Sequence, residues 1–374
     1  MPGLYFHIPF CKQACYYCDF HFSTNLSRTE EMVDAIAQEL ALQKNYLANK
    51  KLTSIYFGGG TPSLLKANHF EKIFNAIDNF FQLDAACEIT LEANPDDLSA
   101  AQLNMFLAAG INRLSIGIQS FDDQVLKFLN RSHDSKIAIT ALENVRKAGF
   151  ENFSLDLIYA IPGQNNTQLK HNIKTAIQFS PVHISAYSLT IEPKTVFGNW
   201  VSKKKLTPVE ETINAGQFEL ISNELTEQGY EHYEISNYSK PGYYSRHNSS
   251  YWKQTPYLGI GPSAHSYNRV SRQFNISNNA VYIKSIQNSE IPFQLEMLTK
   301  ENKINEYVFT TLRTMWGCNL ELLMDEYQFD LMGQNKAYLD KLIQQGMVTL
   351  HNNSLSLTKK GKLLADQISL DLMV

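Results

Sequence analysis

Six short β-rich stretches, each followed by a segment with helical character, constrain the fold of this chain more than any other feature. They begin at Leu4, Ser54, Cys87, Arg113, Phe153 and His183. Strands that alternate with helices form βαβ units, because two parallel strands need a connection long enough to cross the sheet. Residues 1 to about 190 therefore predict a six-stranded parallel sheet covered by helices. Six units suit an open, partial barrel better than a closed barrel of eight strands.

The first predicted helix follows the first of these stretches. Met32, Ile36 and Leu40 recur every four residues and form one apolar stripe, which is typical of a helix that covers a sheet. Ser27 and Glu30 have the spacing of a capping box, which predicts that the helix begins at Ser27.

The pattern changes after a long helix predicted between Pro208 and Gly229. Residues 230–267 are rich in Tyr, Ser, Gly and Pro, and predict irregular structure that lies over the barrel. Helices return after residue 302, and two short strands around the turn HNNS predict a winged-helix-like α+β module. We therefore expect a core at 1–240, a connecting segment at 241–300 and a C-terminal domain at 301–374.

Composition and charge exclude several classes of function. The 374 residues are 44% hydrophobic and carry a net charge of −4, which suits a folded globular protein without the basic surface that binds nucleic acid. The C-terminal module has more acidic than basic residues, so we expect it to pack against the core and not to bind DNA. There is no apolar run of about 18 residues and no leader pattern, which predicts a cytoplasmic protein.

Three of the five cysteines, Cys11, Cys15 and Cys18, lie within eight residues. A structural zinc site normally has four protein ligands, and no second cysteine pair accompanies this group. Three thiolates suit a [4Fe–4S] cluster that keeps one iron open for another ligand, with zinc as the alternative. Cys87 and Cys318 stand alone, and a lone cysteine is more often a small buried apolar side chain than a ligand.

Glycine and polar residues follow the predicted strands, at the end where ligands of barrel folds collect. GGGTPS, residues 58–63, ends the second strand and would let a ligand approach free backbone N–H and C=O groups. Glu92 follows the third strand and Gln119 the fourth. Asp156 lies within the apolar fifth strand, where an unpaired carboxylate is costly to bury. Arg131 could be its partner, or could face a carboxylate of a ligand.

Read in order, HIPFC, CxxxCxxC, GGGTPS, LEANP, SIGIQSF, DLIYAIPGQ and GIGPSAHS resemble motifs of the radical S-adenosylmethionine (SAM) superfamily. Within it, they resemble the branch that contains oxygen-independent coproporphyrinogen III dehydrogenase and the HemW heme chaperones. The resemblance implies a partial (β/α)6 barrel and a SAM-ligated [4Fe–4S] cluster on Cys11, Cys15 and Cys18. It also implies contacts with SAM at Tyr5, Tyr17, Gly59, Gly60, Thr61, Glu92, Gln119, Arg131, Asp156, Thr190 and His265.

Two departures favour the heme chaperones over the dehydrogenase. Phe20 stands where the dehydrogenase pattern has a further cysteine. Ten residues precede Cys11, whereas the dehydrogenase carries a long segment there that helps to close its active site. We therefore expect a radical SAM scaffold without turnover of coproporphyrinogen III.

The stretch RHNSSYW, residues 246–252, is a third such feature, because it resembles an HNxxYW motif associated with heme in the chaperones. Heme iron most often takes an imidazole nitrogen as axial ligand, and the macrocycle needs apolar faces. His247 is the candidate axial ligand, with Tyr251 and Trp252 beside the macrocycle. The alternative is that His247 forms hydrogen bonds in a loop and Trp252 anchors the segment to the barrel.

The resemblance as a whole implies a heme chaperone that delivers heme to acceptor hemoproteins, including membrane-bound enzymes of the respiratory chain. Such acceptors would imply peripheral membrane association, and a homodimer is compatible with this role. The cluster and SAM would either carry radical chemistry or regulate folding, dimerisation or heme release. The enzymatic alternative is the dehydrogenase, and a zinc-stabilised interaction protein is the third hypothesis. The acceptor, the electron donor and the heme stoichiometry stay open.

Overall fold

The computed structural model describes residues 1–374 and contains fifteen strands and sixteen α-helices. The strands are β1 (Gly3–Ile8), β2 (Lys51–Gly59), β3 (Gln82–Ala93), β4 (Arg113–Gln119), β5 (Phe153–Tyr159), β6 (His183–Ser188), β7 (Glu231–Glu234), β8 (Asn237–Ser239), β9 (Tyr257–Ile260), β10 (His265–Tyr267), β11 (Ser271–Asn275), β12 (Phe293–Met297), β13 (Cys318–Asn319), β14 (Val348–His351) and β15 (Ser354–Leu357). The helices are α1 (Thr29–Leu42), α2 (Ala67–Asp78), α3 (Ala100–Ala108), α4 (Asp123–Phe128), α5 (Ser135–Lys147), α6 (Asn166–Gln178), α7 (Val196–Ser202), α8 (Glu211–Glu227), α9 (Arg246–Trp252), α10 (Asn279–Gln287), α11 (Lys300–Leu312), α12 (Leu320–Tyr327), α13 (Leu331–Gln334), α14 (Lys336–Gln344), α15 (Lys359–Lys362) and α16 (Ala365–Asp371). None of these helices combines the length and the apolar composition that crossing a membrane requires.

The six predicted parallel strands form the middle of one twelve-stranded sheet. Strands β1 to β6 lie side by side in chain order, and every neighbouring pair among them is parallel. The sheet does not close, because β12 and β7 lie at its two ends without pairing to each other. The predicted partial barrel is therefore confirmed.

Further strands extend the sheet on both sides of this parallel core. On one side β9 pairs in parallel with β1, and β10, β11 and β12 follow in antiparallel order. On the other side β8 and β7 are antiparallel additions to β6. The predicted irregular structure of residues 230–267 is therefore wrong, because this stretch contains four strands and helix α9. These strands are only three or four residues long, too short for their alternation to stand out among turn-forming residues.

The two faces of β1 have different roles. Leu4, Phe6 and Ile8 belong to the main hydrophobic core, whereas Tyr5 and His7 line a cavity on the opposite face. This follows from strand geometry, in which successive side chains point to opposite faces. The side chains that β1 contributes to the cavity therefore come from one face of the strand, and its core side chains come from the other.

Helix α1 packs on this core with the predicted stripe, since Met32, Ile36 and Leu40 are all buried. The predicted capping box at its beginning is wrong. The helix begins at Thr29 without a side-chain cap, and Glu30 instead accepts a hydrogen bond from His69 of α2 at 2.7 Å. A partner on the neighbouring helix has replaced the local cap.

The C-terminal module has its own core and a small sheet in the order β13-β15-β14. The predicted hairpin is confirmed: β14 and β15 pair in antiparallel fashion. Asn352 and Asn353, the two residues between them, both have positive φ angles. Two consecutive positive φ angles are the signature of a tight hairpin turn, and asparagine adopts them more readily than most residues.

A buried carboxylate fastens the added strands to the first helix. Glu39 of α1 accepts hydrogen bonds from the Tyr282 hydroxyl at 2.5 Å, the Asn275 amide at 2.6 Å, and the Gly261 N–H and Gln43 amide at 2.8 Å each. Burial raises the pKa of Glu39, and these four donors oppose that shift. The carboxylate thus joins α1 to the segment between β9 and α10.

We expect Glu39→Ala to lower the free energy of unfolding by about 3 kcal/mol or more, because several buried donors would lose their acceptor. Glu39→Gln should cost less, since one amide oxygen remains. The measurement is the urea midpoint followed by circular dichroism.

Glu31→Ala on the same helix is the matched control, because Glu31 lies at the surface and pairs only with Arg28. Surface pairs of this kind contribute little, so its midpoint should not move. Equal effects of the two alanine variants would contradict a fastening role for Glu39.

Candidate cofactor site

The cysteine loop, residues 10–23, follows β1 and is held by backbone and side-chain hydrogen bonds at both ends. The Cys11 N–H donates to the Ser23 carbonyl at 3.0 Å, and the Ser23 N–H donates to the Pro9 carbonyl at 2.9 Å. In the middle of the loop, the Asn130 amide donates to the Ala14 carbonyl at 2.7 Å. These hydrogen bonds tie the loop to the end of β1 and to Asn130.

The glycine-rich turn after β2 packs directly on this loop. The Gly60 N–H donates to the Ile8 carbonyl at 2.9 Å, and the Thr61 N–H donates to the Phe10 carbonyl at 2.7 Å. A Cβ atom on Gly60 would lie 2.6 Å from the Phe10 carbonyl oxygen, so only glycine permits this approach. The Gly59 N–H donates to the Glu92 carboxylate at 3.2 Å. The N–H groups of Gly59, Gly60 and Thr61 are therefore not free, and the prediction of free N–H groups is wrong at these three residues.

The two segments border a cavity of about 490 Å³, which we call the cluster cavity. Twelve of the predicted metal and cofactor residues line it: Cys11, Cys15, Tyr17, Cys18, Gly59, Gly60, Thr61, Glu92, Gln119, Arg131, Asp156 and Thr190. No three His, Cys, Asp or Glu side chains converge closely enough to coordinate a single ion. The three cysteines instead contribute to one wall of a shared space.

Arg131 lies between the cysteine loop and the sheet. Its Nη1 is 3.4 Å from both the Cys15 sulfur and the Tyr17 hydroxyl, and its Nη2 donates to Asn94 Oδ1 at 2.6 Å and to the Gly117 carbonyl at 2.8 Å. Burial alone would lower the pKa of Arg131, but Tyr17 and Cys15 raise it above its usual range. The Nε atom is buried without a hydrogen-bond partner, so one donor of a permanent cation remains free for a ligand.

Two half-buried carboxyl groups also line the cavity, those of Glu92 and Asp156. Burial raises the pKa of Glu92 to about 7, although hydrogen bonds from Tyr56 and Gly59 oppose the shift. Burial also raises the pKa of Asp156. Its partner is not Arg131: the Ser115 hydroxyl donates to it at 3.2 Å. Serine hydroxyls thus bind this carboxyl group, and the nearby cation is Arg113, whose charge opposes the rise in the pKa of Asp156.

These residues fit the cofactors that the sequence implies. Thiols are the ligands of iron–sulfur clusters, and the free donor of Arg131 suits a carboxylate. Glu92 and Asp156 suit the positive or hydroxyl-bearing parts of a cofactor, since a nearby cation would favour their ionised forms.

Sequence reasoning missed several polar residues at this site, among them Tyr56, Asn94, Ser115 and the buried cation Arg113. The Tyr56 hydroxyl donates to Glu92 at 2.8 Å; Asn94 and Ser115 make the contacts given above. Tyr56 and Ser115 alternate along their strands with core residues such as Ile55 and Leu114, so the period of two was the signal that could have found them.

Tyr5 and His265, the other two residues predicted to bind SAM, line a second cavity of about 810 Å³. Three histidines, His7, His21 and His265, contribute to its lining, and we call it the imidazole cavity. Asp19 and Phe20 line both cavities. Phe20 is 72% exposed, which places an uncovered aromatic ring at the junction of the two cavities, next to the cysteine loop's third thiol.

The wall between the cavities is built from inward-facing residues of β1 and β2. A Cβ atom on Gly59 would lie 2.7 Å from the His7 ring, and one on Gly58 would lie 3.0 Å from the Tyr5 ring. The Tyr5 hydroxyl is 3.2 Å from His7 Nδ1. Tyr5 and His7 therefore back the glycine-rich turn from the other side.

The predicted heme residues fall at different places. His247 is 1% exposed; its Nδ1 is hydrogen-bonded to the Ser54 hydroxyl at 2.9 Å and its Nε2 to the Tyr251 hydroxyl at 2.8 Å. With both nitrogens engaged, His247 does not fit the predicted role of axial ligand. Tyr251 lines the imidazole cavity. Trp252 packs under the Arg313 guanidinium of the C-terminal module, 5.7 Å from the ring centre. This contact is with that module, whereas the alternative considered above has Trp252 anchoring the segment to the barrel.

Two separate parts of the chain match known protein families. Residues 5–176 match the radical SAM superfamily, and residues 298–364 match the HemN C-terminal domain. The fold resembles the solved structure of coproporphyrinogen III oxidase (HemN) from Escherichia coli, with a TM-score of 0.85 and 22% sequence identity over 100% of this chain and 90% of that one. At this identity, the likeness concerns the fold.

Full-length relatives are more similar in sequence. Proteins named heme chaperone HemW are 35% identical in Bacillus subtilis, over 98% of both chains, and 35% identical in Lactococcus lactis, over 97% of this chain and 95% of that one. The protein of the same name in Mycobacterium tuberculosis is 31% identical over 98% of this chain and 93% of that one. The chain therefore belongs to the radical SAM superfamily and, within it, to the family of HemW heme chaperones.

Proposed function

We propose that this chain is a heme chaperone that holds a SAM-ligated [4Fe–4S] cluster, binds heme and delivers it to acceptor hemoproteins. The observation that carries the proposal is the full-length relationship to proteins named heme chaperone HemW, at 35% identity over 98% of the chain. The geometry adds a second cavity with imidazole and aromatic side chains beside the cysteine loop. We propose membrane-bound respiratory enzymes as acceptors and a homodimer as the assembly.

In this proposal, the residues of the cluster cavity bind and orient the cofactor. Cys11, Cys15 and Cys18 would hold the cluster, whose reduced form supplies one electron to the SAM sulfonium in radical SAM chemistry. Arg131 would bind the carboxylate of SAM through its free donor. Glu92 would pair with a cationic group, and Asp156 would accept a hydrogen bond.

The alternative function is that of an oxygen-independent coproporphyrinogen III dehydrogenase. Its support is the similarity in fold to the E. coli oxidase. One experiment separates the two. Anaerobic, reconstituted protein is titrated with hemin and then mixed with apomyoglobin; in parallel it is incubated with coproporphyrinogen III, SAM and dithionite. We expect tight heme binding, transfer to apomyoglobin and no protoporphyrinogen. Protoporphyrinogen formation with release of 5′-deoxyadenosine would favour the dehydrogenase, and absence of heme binding would refute the chaperone.

Cluster binding is tested by iron and sulfide analysis. We expect about four irons and four sulfides per chain, and Cys18→Ala should lose most of both, because a cubane needs its three thiolates. Cys87→Ala is the matched control, since Cys87 lies in the main core away from the cavity. About one zinc and no sulfide would support the zinc alternative. Equal loss in both variants would mean that the effect is not specific to the cysteine loop.

The pKa of Glu92 near 7 predicts a pH dependence of SAM binding. Below pH 7 the carboxyl group is protonated and must lose its proton to pair with a cation, so affinity should rise with pH up to about 7 and level off above it. In wild type, the release of one proton on binding changes the affinity by a factor of up to ~10 per pH unit. Glu92→Gln has no such proton to release, so its affinity should depend less on pH. Equilibrium dialysis with cluster-loaded protein measures the affinity. Glu143→Gln on the surface of α5 should keep the wild-type slope; the same slope in Glu92→Gln would contradict this role.

A further inference from the structure

We propose that the imidazole cavity is the site of the heme macrocycle and that His265 supplies the axial nitrogen to its iron. The inference rests on the heme-binding function proposed above. It differs from the expectation drawn from the sequence in both the axial residue and the location of heme. The sequence implies that His265 contacts SAM and that His247 is the axial ligand.

The hydrogen bonds of the four histidines in or beside the cavity leave two candidates, His21 and His265. Both nitrogens of His247 are engaged, and those of His7 lie near the Tyr5 hydroxyl and the His21 carbonyl. His21 Nε2 is hydrogen-bonded to Asn279 at 2.7 Å, which leaves one nitrogen. His265 makes no side-chain hydrogen bond. An axial bond to either free nitrogen breaks no existing interaction, but His265 is the more exposed of the two within the lining.

The charge state of His265 also suits an iron ligand. Partial desolvation of the ring within the cavity and the nearby Arg272 guanidinium hold the pKa of His265 below its usual value. This shift favours the neutral form of imidazole, which metal coordination requires. The ring lies 5.5 Å from that of Phe274 on the neighbouring strand, and β10 pairs with β11 on one side and β9 on the other. The imidazole is thus placed on the sheet and not on a free loop.

The cavity has the size and the lining that a flat apolar macrocycle with acidic substituents requires. Its volume, about 810 Å³, lies within the range of roughly 300–1,000 Å³ that is usual for small-molecule sites. Aromatic rings provide the faces: Phe20, Tyr251, Tyr257, Tyr267 and Phe309. Arg272 is the cation of the lining; it is already paired with Glu306 at 2.6 Å, so a propionate would have to share it.

An unsatisfied group in the lining points to a ligand. Gln254 Nε2 is a buried donor without a partner, and such groups are costly unless something satisfies them.

The test is a hemin titration of the full chain, anaerobic and cluster-loaded, in wild type, His265→Ala, His247→Ala and His351→Ala. His351 lies on the exposed strand β14 of the C-terminal module and is the matched control. We expect His265→Ala to weaken hemin binding at least tenfold and to lose the spectral signature of a nitrogen ligand, with recovery of that signature on adding imidazole. His247→Ala and His351→Ala should both keep the spectral signature of the nitrogen ligand. Metal-free protoporphyrin should bind wild type and His265→Ala within twofold of each other, because it forms no axial bond.

A second variant tests the place independently of the ligand. Thr310→Trp projects a large side chain from α11 into the cavity lining and should weaken the binding of hemin and of protoporphyrin alike. Unchanged binding of both would overturn the location, and an unchanged nitrogen signature in His265→Ala would overturn the ligand. A wild-type protein that binds no hemin would refute the proposed function itself, which separates that failure from the failure of this inference.

Discussion

Two backbone hydrogen bonds between the glycine-rich turn and the cysteine loop determine where every other group of the site lies. The Gly60 and Thr61 N–H groups donate to carbonyls at the end of β1 and the beginning of the loop, at a distance that a side chain on Gly60 would prevent. The Thr61 hydroxyl then lies 3.4 Å from the Cys11 sulfur. Because β1 and β2 are neighbours in the sheet, the same contact brings the cysteines to the carboxyl ends of the strands that carry Glu92 and Asp156.

How much of the fold could be predicted depended on the range of the interactions that determine it. The six parallel strands and the stripe of Met32, Ile36 and Leu40 were readable because each segment carries its own periodicity. The strands between residues 230 and 297 were not. Strand β9 takes its place by pairing with β1 at the other end of the chain, and local composition carries no trace of such a partner. The capping box failed for the same reason, since His69 on another helix binds Glu30.

The candidate site was predictable to the extent that it lies on strand ends that follow one another in the chain. The cysteines, the glycine-rich turn, Glu92, Arg131 and Asp156 come together around one cavity. What could not be read was the orientation of individual groups. The N–H groups of the glycine-rich turn donate to other groups of the protein, and Asp156 accepts hydrogen bonds from serine hydroxyls. Tyr5 and His265 line the second cavity and not the first. The position of a residue in its strand determines which face of the sheet its side chain is on. Which cavity that face borders depends on the assembled sheet and cannot be read from the strand alone.

The histidine of RHNSSYW is buried between the two cavities, with both ring nitrogens hydrogen-bonded. Extracting His247 would break two buried hydrogen bonds, at a cost of about 1–3 kcal/mol for each group left unsatisfied. It would also separate the ring from Tyr56, 5.0 Å away. Left in place, the imidazole stacks on the Tyr56 ring and is hydrogen-bonded to the Tyr251 hydroxyl. Tyr56 donates to Glu92 in the cluster cavity, and Tyr251 lines the imidazole cavity. Glu92, Tyr56, His247 and Tyr251 thus form a continuous series of contacts from one cavity to the other, and the motif adds to the wall that β1 and β2 form between them.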